Sequence, residues 1–136
     1  MTFMVERLME LRRHLEHLRA LEPRVKAAAD LERDLSLHND VMFSLLTVVQ
    51  LVIDISGEVC ARHGLRFSDY TQAVRNLSQL PEFPAGLVDR LAPLPGFRNV
   101  MLHEYVTFDL SRAVAAMRDL APVDEFLRIV SRLEAR

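Results

Sequence analysis

Apolar residues recur along this chain at spacings of three and four, with no sustained alternation at two. That period belongs to helices, because strand side chains alternate between faces at every residue. Val5, Leu8, Met9, Leu11, Leu15, Leu18 and Leu21 fall on one face of a first helix that Pro23 must end. Arg12, Arg13, Glu16 and Arg19 take its solvated side. The run over residues 41–55 is the most apolar, and its Val48, Val49, Val52, Ile53 and Ile55 would suit a strand. Ser44, Thr47, Gln50 and Asp54 interrupt it at helical intervals, however, so a helix is expected over about 37–63, with Gly64 as its C-cap. Its apolar stripe is wide enough to demand several packing partners or a subunit interface.

The remaining segments are shorter. Residues 25–37 read as a connector or a short helix. Ser68 should begin a third helix, with Asp69 in its first turn, running to about Leu80 before Pro81 and Pro84 break it. Residues 85–91 make one short helix. Pro93-Leu94-Pro95-Gly96 reads as a stiff turn feeding a helix over about 97–107. Asp109 can cap a helix over 110–120, Pro122 should kink or break it, and residues 123–133 complete the chain. The expected architecture is an all-α, up-and-down helical bundle, with residues 1–136 as one domain.

Charge and cysteine content narrow the function. The formal net charge is −2, so no broad basic face for nucleic acid is visible. Of the 17 basic residues only Lys26 is lysine, a bias that suits phosphate contacts and equally follows from a GC-rich genome. Cys60 is the only cysteine, which rules out an internal disulfide and points to a buried thiol. The first 21 residues are too charged for a signal peptide, and the 41–55 run is too short and polar to span a bilayer. A soluble cytoplasmic protein with no membrane contact is expected. His14 and His17 are three apart, thin evidence for a metal; with His38 and His63 they read as surface or helix-end residues, and no metal or cofactor is expected.

The segment Gly96-Phe97-Arg98-Asn99-Val100-Met101-Leu102-His103-Glu104-Tyr105 is the most specific in chemistry. It joins a permanently charged phosphate clamp to the one side chain that titrates near neutral pH. On a helix Arg98 and His103 project about 140° apart, and a long arginine can still reach a phosphate beside the histidine. Arg98 is expected in the first turn, where free N–H groups favour anions. Asn99 shares a face with His103 and could orient its ring, and Tyr105 falls near Arg98 in projection. Such a set suits RNA cleavage: a histidine moves the 2′-OH or leaving-group proton and an arginine stabilises the phosphorane. One histidine does half of that proton work, and two copies in a dimer would do all of it. The alternatives are an interface histidine and a helix-end ion pair, since an R-x4-H spacing alone is common.

Gly96-Phe97-Arg98-Asn99 followed by Leu102-His103-Glu104-Tyr105 resembles the R-x4-H-x-Y motif of HepT-like proteins, toxin-type ribonucleases of the HEPN superfamily. The charged first helix, the apolar second helix with Asp54-Ile55, and the segment holding Tyr70 have counterparts there. The resemblance implies a HEPN bundle that dimerises symmetrically with its motifs facing each other. It implies metal-independent endoribonuclease cleavage, with Arg98 and His103 catalytic and Asn99 in support. It further implies a type VII-like toxin–antitoxin pair, in which an MntA-like minimal nucleotidyltransferase antitoxin silences the toxin by AMP transfer to the motif tyrosine, here Tyr105. Asp54, a carboxylate among apolar residues, is a supporting candidate that could line the cleft or serve in a cap or ion pair. The competing reading is a non-catalytic HEPN binding module that only pairs with a nucleotidyltransferase.

Overall fold

The computed structural model describes residues 2–136. Among them there are eight α-helices and no strand: α1 (Thr2–Leu21), α2 (Ala28–Arg33), α3 (Leu35–Arg62), α4 (Tyr70–Asn76), α5 (Ala85–Leu91), α6 (Leu94–His103), α7 (Leu110–Met117) and α8 (Ala121–Ala135). Short 3-10 turns follow α1 and α4. The all-α architecture is therefore as expected.

The central element is α3. Asp34 caps it, its carboxylate accepting the Leu37 N–H at 3.1 Å, so the helix starts earlier than the apolar pattern alone indicated. It ends at His63 and Gly64, the latter at φ +69°, a left-handed conformation that costs glycine nothing. Along its length α3 packs against α1, α2, α4, α6 and α7, while α8 closes over α1 and α5. Leu45, Val48, Val52, Ile53 and Ile55 are each at most 2% exposed. The centre of the stripe is thus packed within the chain, while Phe43 on the same helix stays exposed. At 28 residues α3 is long enough to cross a bilayer, contrary to the length argument. However, 56% of its most apolar window is buried against the other helices.

Prolines and caps displaced several boundaries. Pro93 stands at the N-cap of α6, so Pro95 and Gly96 lie inside the first turn; a missing N–H is harmless there. The expected stiff turn is a helix start, and Arg98 moves into the second turn, away from the free N–H groups. The other end of α6 stops at His103 instead of residue 107. Glu104 leaves helical geometry, and the Thr107 N–H closes a turn on the Glu104 carbonyl at 3.1 Å. Asp69, not Ser68, caps α4 by accepting the Gln72 N–H at 2.8 Å. Asp109 caps α7 as expected, through the Ser111 N–H at 3.0 Å. Pro122 is in the first turn of α8 and starts that helix instead of breaking one.

Candidate functional site

The guanidinium of Arg98 leaves α6 and crosses to α3. Its Nη1 donates to the Gln50 side-chain oxygen at 3.0 Å, and its Nε and Nη2 donate to Asn99 Oδ1 at 3.1 and 2.9 Å. The Gln50 amide in turn donates through Nε2 to Asp54 Oδ1 at 2.9 Å. This second bond fixes which way the amide faces, so the oxygen is presented to Arg98. Both acceptors on the arginine are neutral. No carboxylate pairs with it among the described residues, so a half-buried guanidinium is oriented without losing its charge. That is the state in which it attracts a phosphate most strongly.

The arginine also stacks. Its Cζ lies 5.5 Å from the centre of the Tyr70 ring, a cation–π contact that confines the side chain between α3 and α4. Tyr70 in turn lies beside Phe67, with 6.2 Å between ring centres. Tyr70 lies in a segment covered by the family resemblance, whereas Gln50 and Phe67 belong to no recognisable motif. Gln50 did carry a signal: with Asp54 it is a polar pair, four apart, on the most apolar helix of the chain.

His103 is the last residue of α6 and is exposed, and its ring has no hydrogen-bond partner among the described residues. Asn99 is engaged with Arg98 and not with His103, so the expected orientation of the imidazole by that amide is not made. Arg98 offers two N–H groups to that one oxygen, a charge-assisted pair. Tyr105 lies in the turn after α6 and is 75% exposed. Since the helix has ended, it does not share a helical face with Arg98, and its accessibility comes from the turn. Asp54 is half-buried and reaches Arg98 only through Gln50. The expected site residues therefore divide into Arg98, Asn99 and Asp54, joined into one network by Gln50, and two unengaged side chains, His103 and Tyr105.

Beyond the motif, His14 is not a surface residue. Its Nδ1 is 2.9 Å from the buried Ser44 hydroxyl, and its ring meets Phe43 edge-on. His17 pairs with Asp40 at 2.8 Å. The described residues hold no cluster of three metal-ligating side chains.

A family model described as "Ribonuclease HepT-like" matches residues 11–130. The chain belongs to the HepT-like ribonuclease family. Three solved structures share the fold of this HepT-like chain. One is a tri-AMPylated HEPN toxin from Shewanella oneidensis in complex with its MNT antitoxin: TM-score 0.80, 18% identity, covering 95% of this chain and 96% of that one. A second is a toxin–antitoxin structure with AMP-PNP: TM-score 0.82, 16% identity, covering 97% and 99%. The third is a mutant MntA–HpeT toxin–antitoxin structure: TM-score 0.81, 17% identity, covering 95% and 98%. Comparison with curated protein sequences gives no match. The HepT-like fold thus brings α3, α4 and α6 together around Arg98.

Proposed function

We propose that this HepT-like chain is the toxin of a toxin–antitoxin pair and cleaves RNA without a metal. The observation that carries this is how the motif is held: Arg98 bonds only to side-chain amides, and His103 is exposed and uncommitted. In the reaction, Arg98 holds the scissile phosphate and stabilises the charge that builds on its oxygens. A histidine takes the 2′-OH proton as that oxygen attacks phosphorus, and a second returns a proton to the departing 5′-oxygen. One chain contributes one His103, so the full sequence is assigned to a symmetric dimer. The partner is an MntA-like nucleotidyltransferase that moves AMP from ATP onto the Tyr105 hydroxyl and releases pyrophosphate. The exposed turn makes that hydroxyl accessible, and the adduct would place an anionic phosphodiester close to the end of α6.

The test is cleavage of single-stranded RNA by purified protein in EDTA. His103→Ala and Arg98→Ala should each abolish it while retaining the helical circular dichroism of the parent. Parent-like cleavage by His103→Ala would sink the proposal. Sedimentation should give twice the chain mass, and a stable, active monomer would contradict the composite site. Co-expression with the cognate nucleotidyltransferase should add AMP masses to the peptide holding Tyr105. An adduct on another residue, or none, would remove that assignment.

A further inference from the structure

The face of α3 that carries Gln50 and Asp54 continues to Gly57. Seven residues bring the helix to about 20° short of two full turns and about 10 Å along its axis, so Gln50 and Gly57 stand almost in line. Gly57 is where Phe67 rests. A Cβ at Gly57 would meet the Phe67 ring tip at 3.4 Å, ordinary van der Waals contact, so the ring rests against this face of α3. The aromatic pair is firmly mounted. Asn76, a buried amide, donates to the Arg66 carbonyl at 2.8 Å and so pins the loop carrying Phe67. Asp69 caps the helix that begins at Tyr70, and the Cys60 thiol donates to the Ala73 carbonyl at 3.2 Å, fastening α4 to α3. Despite this support, Phe67 is 36% exposed and Tyr70 is 42% exposed.

Two rigid, water-facing aromatic rings therefore stand next to a phosphate-seeking arginine, and the nearer ring touches it. A protein core gains nothing from leaving them bare. A nucleotide strand presents the matching chemistry, an anionic phosphate with a flat base about one sugar away. Unpaired bases stack on aromatic rings, and every base has a π-face, so such a platform tolerates sequence. We infer that Phe67 and Tyr70 form a stacking platform for an unpaired nucleobase adjoining the phosphate that Arg98 holds. This rests on the ribonuclease reading and adds to it a subsite for an unpaired base on one side of the cleavage point.

The experiment uses a short 2′-O-methyl RNA strand, which lacks the attacking hydroxyl and so reports binding alone. The chain has two tyrosines and no tryptophan, so Tyr105→Phe leaves Tyr70 as the only intrinsic fluorophore of consequence. The intact strand should quench Tyr70 emission and bind about tenfold or more tightly than an abasic strand of equal length and charge. Tyr70→Ala should bring the intact strand down to the abasic affinity, and Tyr70→Phe should restore it. Equal affinity and equal quenching for both strands, with Arg98→Ala still weakening each, overturns the platform and leaves the ribonuclease reading standing. Failure of both strands to bind overturns both. If Tyr70→Ala keeps the RNA affinity but halves the sedimenting mass, the pair is a subunit contact and the platform is wrong. The comparison of strands on protein with Tyr70 intact stays decisive even if Tyr70→Ala does not fold.

Discussion

Replacing Gln50 with glutamate tests the idea that Arg98 is oriented by neutral groups so as to stay charged. The change leaves the side-chain volume nearly constant, but it replaces the N–H group that donates to Asp54 Oδ1 at 2.9 Å by a second carboxylate, so the assay is run at about pH 8 to keep both carboxylates ionised. The new carboxylate would stand where the amide oxygen now accepts from Nη1 at 3.0 Å. A phosphate gripped from the other side of the guanidinium would lie about 8 Å from that carboxylate. At an effective dielectric of about 20 the repulsion between two unit charges at this distance is about 2 kcal/mol. At about 1.4 kcal/mol per factor of ten, that predicts a loss of about thirtyfold in the cleavage rate at low salt. Salt near physiological strength, with its screening length of about 8 Å, should reduce the loss to about tenfold or less. Gln50→Ala removes two hydrogen bonds, one from Arg98 and one to Asp54, without adding charge, so its loss should be smaller and nearly independent of salt. The assay is the initial rate on a fluorescent single-stranded RNA in EDTA, across a salt series, on proteins with matched melting temperatures. If Gln50→Glu cleaves like the parent, or if Gln50→Ala is as damaging and as salt-sensitive, the charge argument fails.

Other outcomes follow from the same contacts. Phe126→Ala, at a ring that is 0% exposed and packs on Phe83, should cost about 3–5 kcal/mol in urea denaturation. Burial pushes the Cys60 thiol up, so it should resist a thiol-exchange reagent at pH 8 in the native protein and react once unfolded. Four surface carboxylates are held below their ordinary values: Glu10 chiefly by Arg13, Asp30 by the Lys26 N–H, Glu82 by its own N–H, and Asp109 by the Ser111 hydroxyl. A lowered folded value means the unfolded chain takes up protons first, so melting temperature should hold above about pH 5 and fall progressively as pH drops through about 4.

The helical class and the motif were legible in the sequence because both are local properties. A period of three to four in apolar residues is set by helix geometry, whatever the helix packs against. The R-x4-H-x-Y segment is contiguous, so its members stay neighbours in any fold that keeps the helix. Caps were nearly as readable: Asp109 and Gly64 act through bonds to residues a few places away. The prolines were misread because the same ring that stops a helix in its middle is welcome in its first turn, and only the start of the neighbouring element distinguishes the two cases.

What the tertiary structure decided is which residues meet across elements. Gln50 and Arg98 are 48 residues apart, and no periodicity relates them; only the packing of α6 on α3 brings the amide to the guanidinium. The same packing drew Asn99 to Arg98 instead of to His103 and put Asp54 one step removed from the arginine. It also settled the use of the apolar stripe on α3. Sequence sets how much apolar surface a helix carries, but the number of helices that surround it decides whether any remains for a partner. Here α1, α2, α4, α6 and α7 bury Leu45, Val48, Val52, Ile53 and Ile55 and leave Phe43 exposed. The exposed rings of Phe67 and Tyr70 are the counterpart: two aromatic residues that composition would assign to a core stay partly exposed, Phe67 in the loop before α4 and Tyr70 at the first position of α4 beside Arg98.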